Sequence, residues 1–462
     1  MRRLASCLVL SLMLTGTAAL AADTLHLDVD RAVELALANS RQLAQAQARL
    51  DEAVAGKGTA LGAFLPQITA NATYTRLGRA NELTMLSARD SIIMVPVLDP
   101  EGNPIGRTAL PVRVPVGVDT FSLTLGSVNN YALSGTIQQT LFTWGKLVNA
   151  YRIAGINVEL QKQAAAQARA QVRVDAVQSF YQALLARRTA ETMREALRQL
   201  EGHVRRVQSL YDNGLATRLD VMKATLGQQQ LEAQLAQVEG GAELAQAVLL
   251  NTLGLDPQTP LAFTEELTPE TSSVDVDQVI TLALARRPEL IQLREAARIA
   301  DLSARIALTA NLPTAFVQAT GSYKNPLGFT SEWGADWNAT AGLTMPVFTG
   351  LANYNRLKAA QARLRQARIA VTLVEDAVRL EVRAQALALN QEAKNAALQE
   401  KNVELAEAAL ALARSRYEDG LLTNLEYLDT QLALTQSRIA YLNALANCRI
   451  ARARLQKAVG EN

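Results

Sequence analysis

Asp28-Val-Asp-Arg-Ala-Val-Glu-Leu-Ala-Leu-Ala38 returns as Asp275-Val-Asp-Gln-Val-Ile-Thr-Leu-Ala-Leu-Ala285, 247 residues farther on. Phe64-Leu-Pro66 meets Asn311-Leu-Pro313 at the same offset. Beyond that the offset is 206: Phe142-Thr143 matches Phe348-Thr349, Tyr211 matches Tyr417, Gly214 matches Gly420, and Leu253-Gly254 matches Val459-Gly460. The copies differ in length only between Pro66 and Phe142, where the first is longer by 41 residues. A duplication on this scale fixes the architecture before any local feature is read. It divides the chain into a first repeat (22–254), a linker (255–274) and a second repeat (275–462).

The first 21 residues read as a secretory signal. Arg2 and Arg3 give the charged start, Leu8 to Leu14 the apolar centre, and Ala19-Leu20-Ala21 the small-residue cleavage site. Cys7 lies inside that segment, so Cys448 is the one cysteine expected in the mature chain and no intrachain disulfide can form. After the signal no uninterrupted apolar run is long enough for a membrane helix, so entry into a membrane requires strands. A net charge of +2 over 462 residues offers no basic field for nucleic acid. His26 and His203 stand apart from any Cys or acidic cluster, and no metal or other cofactor is expected. Gly56-Lys57-Gly58-Thr59 lacks the leading glycine of a phosphate loop, since Asp51 stands there, and it precedes a strand. No acid, base and nucleophile converge, so no catalytic residue is assigned.

Thirteen prolines are present, and none falls between 116 and 256 or between 347 and 462. Those gaps permit very long helices, because an internal proline costs a helix about 3 kcal/mol. Leu197, Leu200, Val204, Val207 and Tyr211 step by three and four; Leu219, Met222 and Leu226 do the same and are matched by Leu425, Leu428 and Leu432. Such a narrow stripe is a coiled-coil seam. The tips 211–220 and 417–426 break each long segment at equivalent points. Gly214 and Gly420 suit left-handed helix caps, followed by Leu215 and Leu421. Thr217 with Asp220, and Thr423 with Glu426, have the spacing of a capping box. An arm from Lys146 to Tyr211 would be roughly 100 Å long.

Strands occupy other stretches. Ile68, Ala70, Ala72 and Tyr74 alternate with Thr69, Asn71, Thr73 and Thr75; Tyr131, Leu133, Gly135 and Ile137 with Ala132, Ser134, Thr136 and Gln138. Trp337, Ala339, Ala341, Leu343 and Met345 alternate with Asn338, Thr340, Gly342 and Thr344, and a weaker pattern runs from Ala315 to Tyr323. One apolar and one small polar face suits a barrel strand in lipid. Four strands cannot close a barrel, and an open edge in lipid is prohibitive. Three chains of four give about twelve strands, so a homotrimer is the simplest closure.

The duplicated plan, Phe64-Leu-Pro66 and Asn311-Leu-Pro313 ahead of the strands, Met345-Pro-Val-Phe-Thr-Gly350 after the last, and the tips Gly214-Leu-Ala-Thr217 and Gly420-Leu-Leu-Thr423 together resemble the TolC-like outer-membrane factor family. These are the exit ducts of Gram-negative efflux pumps and type I secretion systems. The resemblance spans nearly the whole mature chain. It implies a mixed α/β membrane protein, with a long antiparallel coiled-coil α-barrel and a transmembrane β-barrel of four strands per protomer and twelve per trimer. It implies an outer-membrane location reaching into the periplasm. It also implies docking of a periplasmic adaptor at the tips and, directly or through that adaptor, an inner-membrane transporter.

Mapped onto this sequence, the family's docking tips fall on Gly214, Leu215, Thr217, Gly420, Leu421 and Thr423, and its acidic constriction on Glu426 and Asp429. Three copies of that pair around one axis would favour cations. Tyr417 and Asp220 match two gating positions, but Leu422 stands where a basic partner belongs and Leu219 where its polar acceptor belongs. The closing network is therefore expected to differ, with Arg218 and Lys223 as candidates. Asp220 and Glu426 also have the plainer reading of capping acids. The long external loop at about 80–120 reads as a surface insertion, or as a plug at the barrel mouth. The function expected is a passive exit duct; the alternative is a non-conducting periplasmic coiled-coil scaffold or adaptor.

Overall fold

A computed structural model of the protein describes residues 24–125, 127–269, 274–328 and 330–461. The signal-sequence reading of residues 1–21, Cys7 included, and residues 270–273 of the expected linker lie outside the described residues. The first copy runs β1 (Leu25–Leu27), α1 (Val29–Asn39), α2 (Arg41–Gly62), β2 (Gln67–Arg76), β3 (Asn81–Leu98), β4 (Pro104–Leu125), β5 (Asn129–Phe142), α3 (Lys146–Asp212) and α4 (Arg218–Thr252). After β6 (Leu261–Phe263), the second runs α5 (Val276–Arg286), α6 (Pro288–Leu308), β7 (Thr314–Asn325), β8 (Gly334–Thr344), α7 (Ala352–Glu418) and α8 (Asn424–Val459). The long arms α3 and α7 are 67 residues each, equal in the two copies. Two compact units result, one of Gly56–Ala154 with Leu302–Gln361 and one of the remaining chain.

The smaller unit contains one four-stranded antiparallel sheet in the order β2-β5-β7-β8. Its register puts Tyr74 opposite Tyr131, Ala72 opposite Leu133 and Ile68 opposite Ile137. Leu133 in turn faces Tyr323, and Gly321 faces Trp337. Since side chains alternate across a strand, this pairing gathers the apolar residues of all four strands on one face. Ile68, Trp337 and Leu343 on that face are 73%, 78% and 75% exposed, so nothing among the described residues covers it. The other face carries Thr136 and Thr320, whose hydroxyls are 3.1 Å apart, and a Lys324–Asp336 ion pair at 3.2 Å. Tyr323 stacks on Trp333 at 5.1 Å and Tyr131 lies 5.9 Å from the same indole, an aromatic group at one end of the strands. Strands β2 and β8 each pair on one side only, so the sheet has two open edges.

Residues 80–120, expected as an irregular loop, instead form most of a two-stranded ribbon in which β3 pairs with β4 alone. Asp99-Pro-Glu-Gly-Asn103 is the turn at its end, as its composition suggests, with the Asp99 carboxylate accepting from the backbone of Glu101 and Asn103. Prolines at 96, 111 and 115 obscure the strand signal, yet a two-stranded ribbon consists only of edge strands, which tolerate them. The pairs Leu83–Leu123, Met85–Phe121 and Ile93–Val112 hold its register.

The larger unit shows the duplication as two cores. Leu27, Ala32 and Ala36 at the head of the first copy pack with Phe180, Leu184, Leu249 and Leu253. Ala283 and Leu290 of the second copy pack with Val378, Val382, Leu389 and Leu455. Asp28 and Asp275, the first residues of the repeated segment, are the N-caps of α1 and α5. The expected linker is tied down: β6 pairs in parallel with β1, and Glu265 accepts from the Tyr181 hydroxyl at 2.7 Å and the Val29 amide at 3.1 Å.

Placing a charge on the apolar face of the sheet should be far worse than placing it on the polar face. Leu133→Arg is expected to cost about 2–4 kcal/mol in lipid, whereas Ser134→Arg next to it should assemble normally. The fraction of each variant recovered folded in membranes tests this, and equal recovery would contradict the assignment of faces.

Candidate functional site

The two helical tips are built by the same local rules. At the first, Gly214 adopts φ +74° and the Leu215 amide donates back to the Leu210 carbonyl at 2.8 Å. At the second, Gly420 adopts φ +71° and the Leu421 amide donates to the Arg416 carbonyl at 2.8 Å. A side chain is strained at such φ, which accounts for glycine in both copies. Leu215 and Leu421 then stand 76% and 77% exposed at the turns.

Both expected capping boxes are present. Oδ2 of Asp220 accepts from the Thr217 amide at 3.0 Å and hydroxyl at 2.6 Å. Oε2 of Glu426 accepts from the Thr423 amide at 2.9 Å and hydroxyl at 2.7 Å. These bonds, the hydroxyl first for Asp220 and the backbone amide first for Glu426, hold both carboxyls below their ordinary range. Among the described residues Oε1 of Glu426 accepts no hydrogen bond, so the side chain caps α8 with one oxygen and leaves the other to solvent. Capping and lining a pore are therefore compatible roles for this residue. Asp429, a turn deeper on α8, is exposed. It borders a groove of about 320 Å³ together with Lys223, Leu226, Leu425 and Leu428.

Tyr417 and Asp220 are brought near each other, but through residues that sequence reasoning passed over. His203, on α3, is buried; its Nε2 lies 2.7 Å from Oδ1 of Asn424, the first residue of α8. The Asn424 amide nitrogen donates to the backbone carbonyl of Asp220 at 3.0 Å. The imidazole stacks on Tyr427 at 4.3 Å and sits 5.1 Å from Tyr417. Burial, then the charge of Asp220, pushes the Tyr417 hydroxyl up. Nearby, Arg206 of α3 reaches Glu418 of α7 at 2.7 Å. The two hairpins are thus joined within one chain by His203–Asn424–Asp220 and Arg206–Glu418. Of the candidates named for this task, Lys223 contributes only its charge near Asp220. A signal was available: His203 corresponds to Ala409 and Asn424 to Arg218 in the other copy, so both stand where the repeat breaks its own pattern.

The first capping box has a direct test. Thr217→Ala is expected to cost about 1 kcal/mol in the opening turn of α4, read as faster amide exchange there and unchanged exchange at α8. The carboxyl of the second box, with its depressed pKa, gives stability present above the ordinary glutamate range and lost only as pH falls through the lowered value. Faster amide exchange at the α8 start in Thr423→Ala than in the wild type at about pH 7.5, with exchange at the α4 start unchanged, is the expected result.

The profile of the outer membrane efflux protein family matches residues 32–255 and 279–461, one match for each copy. The outer membrane efflux protein BepC of Brucella suis biovar 1 is 25% identical over 347 residues, which is 72% of this chain and 73% of that protein. Among solved structures, the CmeC outer membrane channel of Campylobacter jejuni superposes with a TM-score of 0.74 at 16% identity, covering 94% of this chain and 85% of that one. The outer membrane protein VceC of Vibrio cholerae gives 0.70 at 21% identity, covering 94% and 96%. At such identities the structures establish the fold, an outer-membrane channel fold of long helices and a membrane sheet. With a profile that spans both repeats, the chain belongs to the outer membrane efflux protein family.

Proposed function

We propose that three copies of this chain form a passive exit duct in the outer membrane, conducting substrates from the periplasm to the exterior and gated at the helical tips. The observation that carries this reading is the four-stranded sheet with one uncovered apolar face, one polar face and two unpaired edges. In lipid every backbone donor and acceptor must be satisfied, so β2 of one copy has to pair with β8 of the next. Because β2 and β8 run in opposite directions within a chain, that pairing is antiparallel and continues the ladder around a ring. The polar face, with Thr136, Gln138, Thr320 and Asn338, then lines a hydrated lumen.

The helices carry a second, matching deficit. Leu200 and Val207 of the first seam are buried within the chain, whereas Leu219, Met222 and Leu226 of the second are 58%, 61% and 54% exposed, and Leu425 and Leu432 are 50% and 47%. A repeated leucine stripe left bare on α4 and α8 fits neighbouring copies. A soluble scaffold would account for the helices and leave the sheet unexplained. The reading assigns no catalytic role, and a driving force must come from an inner-membrane partner.

In this reading Glu426 and Asp429, three apart on one face of α8, form the constriction. Gly214, Leu215, Thr217, Gly420, Leu421 and Thr423 form the adaptor-docking surface, and the β3–β4 ribbon stands at the cell surface. The cap bonds hold the Glu426 carboxyl below its ordinary range, which favours a negatively charged constriction. Single-channel current in planar bilayers tests the assignment. The wild type should show a small, cation-preferring conductance; Glu426→Ala/Asp429→Ala should lose much of the preference and carry more current. Unchanged current in the double variant would move the constriction elsewhere, and no current from folded trimer would overturn the duct.

A further inference from the structure

His203 is a buried imidazole that no pore, cap or docking role requires, and it holds the two hairpins of a single chain together. We propose that it is a proton-operated latch: neutral, it keeps the tips joined through Asn424 and Asp220, and charged, it lets them part. The proposal rests on the duct reading for its consequence, since parted tips widen the gate, but the latch itself is a property of one chain.

The geometry fixes the neutral form. The Asn424 amide nitrogen is committed to the Asp220 carbonyl, so Oδ1 faces the ring and Nε2–H of His203 donates to it. The second ring nitrogen then carries no proton; an incoming proton goes there and leaves the Nε2–H bond in place, so what loosens the charged form is a cation buried beside Arg206. From α3 the ring meets Arg206, whose positive charge opposes a second proton. From α7 come Tyr417, with Glu418 and Arg414 beyond it, both engaged with each other and the former with Arg206. From α8 come Tyr427 and Asn424, with Arg438 bound to Glu407 at 2.6 Å. From α4 the backbone carbonyl of Asp220 meets Asn424, while its carboxylate is engaged by Thr217 and lies near the charge of Lys223. The two tyrosine faces would welcome a cation. Burial, reinforced by Arg206, outweighs them and the Asn424 bond, so the imidazole is held below its ordinary pKa.

Protons have a route in. A groove of about 590 Å³, bordered by Gln199, Arg206, Glu407 and Tyr427, reaches the ring from solvent. An imidazole that is depressed when latched and ordinary when released stabilises the latched form above the free histidine pKa. That contribution fades as pH falls through about 6.5 and below. Release frees the first turn of α8 and, through the lost Asn424 bond, the first turn of α4. Both acidic residues of the capping boxes lie in those turns.

Amide exchange of the full-length protein in detergent at pH 7.5 and 5.5, corrected for intrinsic rates, reads the latch without any channel assay. In the wild type, protection over 217–224 and 417–428 should fall at the lower pH, by at most about tenfold. His203→Gln keeps a donor but cannot charge, and its protection should not respond. Asn424→Asp sets a carboxylate against the ring, and the loss should move to lower pH. A wild type with no pH response, or a His203→Gln variant that responds as the wild type does, overturns the latch. So does an unmoved midpoint in Asn424→Asp. Bilayer current recorded on the same samples separates the two claims: pH-responsive tips in a protein that conducts nothing would retain the latch and discard the duct.

Discussion

An open edge strand in lipid is the constraint from which the rest of this protein follows. Water can satisfy the bare N–H and C=O groups of β2 and β8; hydrocarbon cannot, and each unsatisfied group costs several kcal/mol, on the order of one or two buried apolar side chains. With an apolar face 73–78% exposed at Ile68, Leu343 and Trp337, the sheet is made for hydrocarbon. On the proposed reading a single chain is an incomplete structure. Four antiparallel strands per copy make an even total for any number of copies, so closure never forces a parallel pair. The leucine stripe on α4 and α8 is bare in the same way, and in the proposed trimer neighbouring copies would cover it.

Duplication gives this design two helical hairpins from one pattern, and the tips show how little has to change to make them unlike. Both keep a left-handed glycine, an exposed leucine and a threonine–acid capping box. The first copy alone has a histidine at 203, and the second alone has an asparagine at 424 to meet it. Identical caps make each tip rigid by itself. The unlike pair joins one tip to the other, with the Arg206–Glu418 ion pair beside it.

Much of this was legible in the sequence. The repeat marked the stretches that form α1 and α5 as equivalent without giving their structure, and the proline-free gaps located α3 and α7, because helix-breaking residues act over many positions. The four strands were legible from alternation since lipid demands a consistently apolar face; β7, with its weak alternation, was the least clear because Phe316 falls on the polar face and Gly321 on the apolar one. The ribbon β3–β4 was not legible. Its prolines argue locally for irregular chain, and only the pairing of Leu83 with Leu123 and its neighbours, a long-range fact, makes it a hairpin. His203 was missed for the same reason: its partners lie more than 200 residues away, and a lone histidine on a helical stripe carries no local signal.

The central claim, that the open sheet closes by joining three copies, is tested most directly by the mass of the folded, detergent-solubilised protein measured by native mass spectrometry. The account predicts one species of three chains that aggregates when detergent is withdrawn. A folded single chain, stable in water without detergent, would contradict it.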